Sequence, residues 1–541
     1  MSPVKFLLKK HAGLFFLIPY AVFLVFSGLG DSVLQLDEGL DTFITTTILK
    51  YGIPQHSDGI NHTMDFADIY DGLFVYRTWV PYYLQASSFL LFGQNTFAAR
   101  LPFALCGVFS VLLLYFLTLK LTAKKSIAFL AALFLASSVP ALIYFRTARY
   151  VGLPVLFTIL LLYFYIDLIR GNKRSALGFT VTAILYFQTM YVEFASTSFG
   201  VILHLILIQK TLDREKIKTV VSSFIIIGLF CVPWILYISP VFSHISETLG
   251  NSSKAIDLSA WGYLKRFPAF LFQLNNYIFP FIFLPLVFLK PLKVYRTQVQ
   301  LLLICISTII ITATLHPIPS QFYITACFPL LFILLAMILV ECFKNIILRG
   351  CVILLLITTN LIHVGPLLPV KQALLNQPDL FQQNRYLSRA YHSFMMQVNV
   401  RSLYYKHWYE ITHPYRGPLD TVVEFFQNHG SPGQTAFIDN EGDAFIFYSR
   451  MKLTRKSELS ASDKPDWIIL RGGKISVEES ADSVSPTAQK LKDIIRSHPY
   501  KKIILKGPVD RINNSYDIQL HRFKTRSTTN KVVIYQLQKA S

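Results

Sequence analysis

Long apolar runs alternate with short polar linkers along the first two thirds of this 541-residue chain. A membrane-spanning helix needs ~20 mostly apolar residues, and by that rule the pattern predicts about eleven spans. The predicted spans lie near 12–30, 101–119, 126–145, 152–169, 176–191, 195–209, 219–239, 268–289, 299–315, 322–342 and 350–366. We therefore expect a polytopic α-helical membrane protein.

Basic residues mark the end of every second predicted span. Lys120, Lys124 and Lys125 follow the second run, and similar clusters follow the fourth, sixth, eighth and tenth runs. Linkers on the cytoplasmic side carry such an excess of Lys and Arg. The pattern predicts a cytoplasmic N-terminus, and an odd number of spans then places the C-terminus outside.

The composition changes near residue 371 to one typical of a soluble domain. Gly417-Pro-Leu-Asp420 opens an amphipathic helix, and a second helix is predicted near 487–497. Short β-rich runs predict strands at Thr435–Ile438, Trp467–Leu470, 503–505, 516–520 and 532–537. Alternating strands and helices predict a C-terminal soluble α/β domain on the outer side, although the last strands equally fit an antiparallel meander.

These patterns predict three parts of the chain. A transmembrane domain covers 1–366, and its first outward loop, at 31–99, carries interfacial helices. A membrane-proximal connector rich in aromatic residues covers 367–415. The α/β domain covers 416–541.

Composition supports the membrane assignment. Hydrophobic residues make up 53% of the chain and charged residues only 15%, far from the balance of a soluble globular protein. The net charge of +20 would suggest a nucleic-acid partner in a soluble chain, but many of these cations lie in the linkers between apolar runs. Cytoplasmic retention and anionic lipid explain them there, so we expect the lipid bilayer as a partner and no nucleic acid.

Two adjacent carboxylates, Asp37 and Glu38, follow the first apolar run. Their loop, at 31–77, contains only Lys50 and Arg77 as Lys or Arg residues, which is typical of the outer face. A carboxylate in this position can take a proton from an attacking hydroxyl or amine. The alternative is that the pair simply starts a helix, since Asp favours N-caps and acids favour first turns.

Other charged residues on predicted outward turns are candidates for ligand binding. Arg146 and Arg149 oppose the positive-inside trend, and their guanidinium groups suit a phosphate; anchoring to lipid headgroups is the alternative. Glu193 is a site candidate because of its depth in the membrane, or else a helix cap. Arg77 and His316 also lie on or near the outer side, where a lone histidine is more often a satisfied hydrogen-bonding group than a ligand.

Three sequence blocks are distinctive: Leu36-Asp-Glu38, Arg77-Thr-Trp-Val-Pro-Tyr-Tyr-Leu-Gln-Ala86 and Leu91-Phe-Gly-Gln-Asn-Thr-Phe-Ala-Ala-Arg-Leu-Pro102. The third is closely similar to the LFG-x-N-x-FAARLP pattern of bacterial glycosyltransferases that use polyprenyl-phosphate sugars. Over residues 1–345 the chain resembles this GT-C class, within the group that includes dolichyl-phosphate-mannose protein mannosyltransferases and the lipid A aminoarabinose transferase. The turn at 148–150 and the segment 321–329 fit more loosely.

The resemblance implies roles for individual residues. Asp37 matches the aspartate of the acidic pair, implied to be the catalytic base or to orient the acceptor, and Glu38 matches its neighbour. Arg77 falls where the pattern EKPPLYYW has its lysine near the donor phosphate, while Tyr76 replaces the glutamate of that pattern. Many relatives carry an aspartate just after the arginine of the turn at 148–150. This chain has Tyr150 there, so we expect Asp37 to act without that second carboxylate.

The sequence therefore predicts an inverting glycosyltransferase that moves a sugar from a polyprenyl-phosphate donor to a lipid, glycan or protein acceptor on the periplasmic face of a bacterial inner membrane. Asp37 and Glu38 are the expected catalytic residues; Arg77, Arg146 and Arg149 are expected at the donor phosphate; and further substrate contacts are expected at Tyr82, Tyr83, Tyr150, Glu193 and His316. The need for a divalent metal as cofactor stays open. The alternatives are a non-catalytic scaffold of a glycan assembly complex and a lipid or solute transporter, which would need broken helices.

Overall fold

The structure is a computed structural model. It describes residues 12–63, 72–252, 259–316, 319–375, 385–413, 416–460, 462–471, 486–508, 514–523 and 529–538. By its internal contacts the chain divides into two compact units. The first unit comprises Met1–Ser27, Phe103–Arg146 and Tyr150–Tyr409, and the second comprises Gly28–Pro102, Thr147–Arg149 and Glu410–Ser541.

The first unit is built from helices. They are Ala12–Phe26, most of Thr96–Thr122, Lys125–Ser137, Val139–Phe145, Leu153–Ile169, Ser175–Phe187, Tyr191–Ile208, Arg214–Ser252, Ala260–Tyr277, Lys290–Lys293, Arg296–Ala313, Cys327–Cys342, Ile346–Thr358, Leu361–Val364, Leu368–Leu375, Arg385–Gln397 and Leu403–Thr412. Small residues allow close packing between them. A Cβ atom at Gly200 would lie 2.9 Å from the Cα atom of Cys305, so a glycine there lets two helix backbones approach closely.

Several helices have the length and composition of membrane spans. Within the described ranges, five are long and apolar enough by themselves: Thr96–Thr122, Tyr150–Ile169, Tyr191–Thr211, Arg214–Pro240 and Arg296–Ala313. Three more candidates are pairs bent by more than 40°: Lys125–Ser137 with Val139–Phe145, Gly262–Tyr277 with Phe281–Phe288, and Ile346–Thr358 with Leu361–Leu375. Shorter apolar helices lie at Gly13–Phe26, Ser175–Phe187 and Cys327–Cys342. These elements fall on the predicted runs and confirm a helical membrane protein with several spans, whereas the number of crossings stays a prediction.

The C-terminal part of the second unit contains a five-stranded sheet. Its strands are β1 Thr435–Ile438, β2 Lys452–Leu453, β3 Trp467–Leu470, β4 Tyr500–Pro508 and β5 Thr529–Leu537, in the order β2-β1-β3-β5-β4. β1 is parallel to β2 and β3, whereas β5 is antiparallel to β3 and β4. The sheet therefore combines the parallel and antiparallel arrangements that the sequence left open.

Helices cover both faces of this sheet. Neighbouring residues of a strand point to opposite faces, and in β3 Ile468 packs with the helix Pro486–Ser497 in one buried core. On the other face the ring of Trp467 meets the ring of Phe426, from the helix Pro418–His429, with centroids 5.0 Å apart. The predicted α/β architecture is present, and its position on the outer side stays a prediction.

One predicted strand is wrong. Residues 516–520 form a turn in which the backbone N–H of Leu520 donates to the carbonyl of Asp517 at 2.9 Å. The carboxylate of Asp517 also accepts the backbone N–H of Gln519 at 2.9 Å. These local bonds satisfy the backbone groups that a strand would have offered to a neighbour, which is why the β-rich composition misled the prediction.

The first loop contributes two helices to the second unit, Leu36–Tyr51 and Val80–Phe92. The former begins in a capping box: the side chain of Gln35 accepts the N–H of Asp37 at 3.2 Å, and the Glu38 carboxylate accepts the N–H of Gln35 at 3.0 Å. The acidic pair does start a helix. That role leaves the chemistry of Asp37 open, because capping here uses its backbone and not its carboxylate.

Gly39 allows the helix Leu36–Tyr51 to lie directly against the helix Gly442–Ser449. A Cβ atom at Gly39 would lie 2.3 Å from the backbone nitrogen of Ala444. Because backbone must move to relieve that clash, we expect Gly39→Ala to destabilise the protein by about 1–3 kcal/mol, measured by thermal unfolding in detergent. The matched control is Gly350→Ala, in the helix Ile346–Thr358, where nothing lies within 4 Å of an added Cβ. Equal unfolding temperatures for the two variants would contradict the close contact.

Candidate active site

Two carboxylates and two arginines meet on one face of the helix Leu36–Tyr51. Asp37 and Asp41 are four residues apart, so their side chains lie on the same side of the helix. Arg149 donates from Nη1 to Asp37 Oδ2 at 3.0 Å and from Nε to Asp41 Oδ2 at 3.1 Å. Arg77 Nη1 pairs with Asp41 Oδ1, and Arg77 Nη2 lies 4.0 Å from Asp37 Oδ1. We call these four residues the acid–arginine cluster.

The two carboxylates of the cluster differ in exposure. The side chain of Asp41 is 3% exposed, like that of Arg149, whereas 32% of the Asp37 side chain is open. Asp41 also accepts a hydrogen bond from the Tyr82 hydroxyl at 3.0 Å. Asp41 therefore holds the arginines from the buried side, and Asp37 is the carboxylate that an incoming molecule can reach. Asp41 thus supplies the cluster with a second carboxylate from the same helix as Asp37, whereas the residue after Arg149 is Tyr150.

The surroundings of Asp37 keep its carboxyl group ionised. Burial by itself raises the pKa of Asp37, but the charges of Arg149 and Arg77 and a hydrogen bond from Tyr516 hold that pKa below its ordinary value. The ring of Tyr516 also faces Arg149, with the guanidinium carbon 4.6 Å from the ring centroid. Asp37 is consequently a carboxylate at neutral pH and able to accept a proton.

Glu38 lies outside the cluster. Its oxygens accept Nε and Nη2 of Arg100 at 2.8 and 2.9 Å, in the bidentate geometry that suits a guanidinium and a carboxylate. The backbone N–H of Ala148 donates to the same carboxylate at 2.7 Å. Glu38 therefore ties the start of its helix to the turn that carries Arg149, and its expected catalytic role stays a prediction.

The other predicted phosphate ligand on that turn, Arg146, has a different environment. Its Nη1 donates to the backbone carbonyls of Val25 and Ser27, each at 2.7 Å. Arg146 thus binds the carbonyl end of the helix Ala12–Phe26.

The remaining predicted contacts divide between the two units. In the second unit Tyr82 reaches Asp41, while the half-exposed Tyr83 donates to the carbonyl of Gly52 at 3.0 Å. In the first unit the buried Glu193 accepts Thr325 Oγ1 at 3.2 Å and the N–H of Ala326 at 3.4 Å. His316 packs against Tyr323, and Tyr150 begins a short 3₁₀ turn. These three residues of the first unit are not part of the cluster.

The donor set does not fit a divalent cation. Such an ion needs several oxygen ligands, but the two carboxylates here each face guanidinium groups, and the four charges cancel. In the part of the chain that the structure describes, no group of three or more His, Cys, Asp or Glu residues could hold a metal ion.

Known proteins resemble this chain in both sequence and fold. Residues 77–237, which include both arginines of the cluster, match the family described as dolichyl-phosphate-mannose-protein mannosyltransferase. ArnT from Cupriavidus metallidurans, solved in the apo state, has a TM-score of 0.55 at 12% identity over 97% of this chain and 98% of that chain. The chain is therefore similar to GT-C membrane glycosyltransferases, in sequence over residues 77–237 and in fold over nearly its whole length.

One further relative and a second structure of ArnT define how far the GT-C likeness extends. YkcB of Bacillus subtilis (strain 168), described as a mannosyltransferase, is 29% identical over 188 residues, which cover 34% of this chain but only 26% of that protein. ArnT bound to undecaprenyl phosphate gives a TM-score of 0.51 at 13% identity over 96% of this chain and 97% of that chain. At these identities the structural likeness concerns the fold. The resemblance to the GT-C class that the three sequence blocks predicted is confirmed.

Three residues of the site were missed by the sequence analysis. Asp41 received no role, although its spacing of four from Asp37 would have marked it on a helix. Arg100 lies in the third distinctive block, where it received no role. Tyr516 fell in the wrongly predicted strand, and nothing in its neighbourhood along the chain marks it.

Proposed function

We propose that this GT-C protein is an inverting glycosyltransferase that moves a sugar from a polyprenyl-phosphate donor to a lipid, glycan or protein acceptor. The observation that carries the proposal is the acid–arginine cluster, in which one reachable carboxylate lies beside two guanidinium groups. The names of the relatives agree with this donor, since one family is described by dolichyl-phosphate mannose and ArnT was solved with undecaprenyl phosphate.

The arginines would bind the phosphate of the donor. Guanidinium groups pair with phosphate oxygens through parallel charge-assisted hydrogen bonds. Buried Asp41 would keep Arg77 and Arg149 oriented while the phosphate competes with Asp37 for their outer N–H groups. As the phosphate takes over that charge, the pKa of Asp37 would rise toward the range in which a carboxylate is an effective base.

The chemical step would then be a single displacement. Asp37 takes the proton of the acceptor hydroxyl or amine as that group attacks the anomeric carbon. The bond between this carbon and the phosphate oxygen breaks, the polyprenyl phosphate leaves, and the anomeric configuration inverts. Arg77 and Arg149 stabilise the charge of the leaving phosphate, and losing such an electrostatic contact commonly costs on the order of 10²–10³ in rate.

The location follows from the distribution of charge along the chain. The cluster draws on a loop poor in Lys and Arg, which favours the periplasmic side of a bacterial inner membrane. We propose that the N-terminus is cytoplasmic and that the α/β domain, predicted at 416–541, lies in the periplasm, with 1–366 as the transmembrane domain and 367–415 as the connector.

Binding of undecaprenyl phosphate tests the donor site directly. We expect Arg149→Gln to weaken the affinity about 10–100-fold, the loss typical of one hydrogen bond to a charged group. Arg146→Gln is the matched control, because Arg146 donates to backbone carbonyls and should leave the affinity unchanged. The measurement is a titration of purified protein in detergent, with thermal unfolding to confirm that both variants fold. Equal affinities for wild type and Arg149→Gln would refute the proposed phosphate site.

The bent helix pairs are a feature that transporters use, but no residue of the cluster lies on them. A scaffold would bind the lipid without turnover. The effect of Asp37→Asn on sugar transfer distinguishes both alternatives from the enzyme.

A further inference from the structure

The segment 514–523, far from the first loop along the chain, reaches the acid–arginine cluster within the second unit. Its Tyr516 makes a side-chain hydrogen bond to Asp37. The face of the same ring lies against the guanidinium of Arg149 at 4.6 Å, a favourable cation–π distance. One side chain therefore contacts both the reachable carboxylate and the most buried arginine of the cluster.

A polar anchor fixes the loop that carries Tyr516. The carboxylate of Glu410 accepts Asn514 Nδ2 at 2.7 Å and His521 Nε2 at 3.0 Å. The other ring nitrogen of His521 contacts the carbonyl of Ser515. Both nitrogens of His521 thus face oxygen atoms of neighbouring residues. Residues on both sides of Tyr516 are held by this anchor, so the position of its side chain is set by more than its own contacts.

The same C-terminal part also fixes the start of the helix that carries Asp37. The backbone N–H of Leu36 donates to Glu441 Oε1 at 3.1 Å, and that of Leu34 donates to the Tyr448 hydroxyl at 2.8 Å. Glu441 is itself buried and pairs with Arg471 at 2.6 Å. Buried backbone groups need such partners, and here they come from the C-terminal residues.

We propose that the C-terminal residues 410–541 complete the reaction centre and that Tyr516 is a positioning residue for Asp37 and Arg149. Its hydroxyl orients the carboxylate toward the acceptor, and its ring holds the guanidinium in the plane in which it meets the donor phosphate. This inference rests on the proposed function, because it assigns Tyr516 a role in the same transfer.

Two variants separate the hydroxyl from the ring. Tyr516→Phe removes the hydrogen bond to Asp37 but keeps the aromatic face on Arg149, whereas Tyr516→Ala removes both. Tyr500→Phe is the matched control, because it removes a hydroxyl of the same unit that donates to the carbonyl of Pro465 at 2.7 Å. The readouts are affinity for undecaprenyl phosphate and the pH profile of kcat/KM with undecaprenyl-phosphate mannose, alongside thermal unfolding.

We expect Tyr516→Phe to move the acidic limb of the profile to higher pH. Asp37 must be ionised to accept a proton. The charged and titratable groups that face it are Arg149, Arg77, Asp41 and Tyr516. Because the tyrosine hydroxyl stabilises the ionised carboxylate, losing it raises the pKa of Asp37. Affinity for undecaprenyl phosphate should change less than about twofold in this variant and fall about fivefold or more in Tyr516→Ala, since only the latter loses the cation–π contact. Tyr500→Phe should match wild type in both readouts.

The outcomes distinguish this inference from the proposed function. The inference is overturned if both Tyr516 variants keep the wild-type affinity for undecaprenyl phosphate and the acidic limb of the wild-type pH profile. The proposed function would still stand in that case if Asp37→Asn is inactive. Tyr516→Phe could instead lower the unfolding temperature and leave the acidic limb of the pH profile unchanged. Tyr516 would then be a structural residue only, and the inference would also be overturned. The wild type could bind undecaprenyl phosphate without transferring mannose. The affinity of Tyr516→Ala for undecaprenyl phosphate then tests the inference by itself: a loss of about fivefold or more supports it, and wild-type affinity overturns it. If the wild type neither binds nor transfers, the proposed function fails and the inference fails with it.

Discussion

Asp37→Asn is expected to abolish sugar transfer while the protein still inserts into the membrane and binds undecaprenyl phosphate. Asparagine has the shape of aspartate but cannot take a proton from the acceptor, and losing a general base commonly costs 10²–10⁴-fold in rate. Phosphate binding should persist, because Arg77 and Arg149 keep Asp41 as their buried partner. Mass spectrometry of glycolipids and polyprenyl-phosphate sugars should show one product disappear and its donor accumulate.

The control for this variant is Asp31→Asn. Asp31 is an exposed acid of the same loop and is not part of the cluster, so its variant should retain the wild-type lipid profile. Wild-type turnover in Asp37→Asn would remove Asp37 from the mechanism. If the profiles of Asp37→Asn and wild type agree while deletion of the whole protein changes them, the protein acts as a scaffold or transporter.

Arg100→Met should have the largest effect on stability. It leaves the Glu38 carboxylate, 3% exposed, without its bidentate partner, and breaking a buried ion pair in this way costs about 3–5 kcal/mol. Arg100 also donates to the backbone carbonyls of Leu29 and Ser32, each at 3.0 Å, so those contacts are lost as well. The free energy of unfolding, measured by denaturant titration in detergent, checks the expectation.

An exposed ion pair supplies the comparison for Arg100→Met. Lys173 and Glu215 are 3.3 Å apart, with side chains 70% and 68% exposed, and exposed pairs contribute about 0–1 kcal/mol. We expect Lys173→Met to be nearly neutral. Adding Glu38→Gln to Arg100→Met should recover part of the loss, because it removes the unpaired buried charge. Equal losses of unfolding free energy in Arg100→Met and Lys173→Met would show that burial does not determine how much the Arg100–Glu38 pair contributes to stability.

Under the proposed mechanism, the cluster also accounts for how this chain acts without the aspartate that many relatives carry at the position of Tyr150. Asp41 supplies a carboxylate from the helix instead of the turn, and it contacts both arginines. The side chain of Asp41 is 3% exposed, whereas that of Asp37 is 32% exposed. In the proposed mechanism the two carboxylates have separate tasks, one orienting the arginines and one facing the incoming group.

Features that depend on local pattern could be predicted from the sequence. Runs of apolar residues are long enough to define the helices of the first unit, because the bilayer sets their length. The strands Thr435–Ile438 and Trp467–Leu470 were predicted with the bounds that the structure gives them, since buried strands are short apolar runs between turn residues. The GT-C class came from motifs that are continuous along the chain.

The tertiary structure alone decided which side chains form the site. Asp37 and Glu38 are neighbours in sequence, but consecutive residues of a helix point about 100° apart, so Glu38 turns to Arg100 while Asp41, one turn along, joins Asp37. Arg149 and Tyr516 reach the same carboxylate from distant parts of the chain. Contacts between residues so far apart depend on how the elements pack, and packing leaves no pattern in the local sequence.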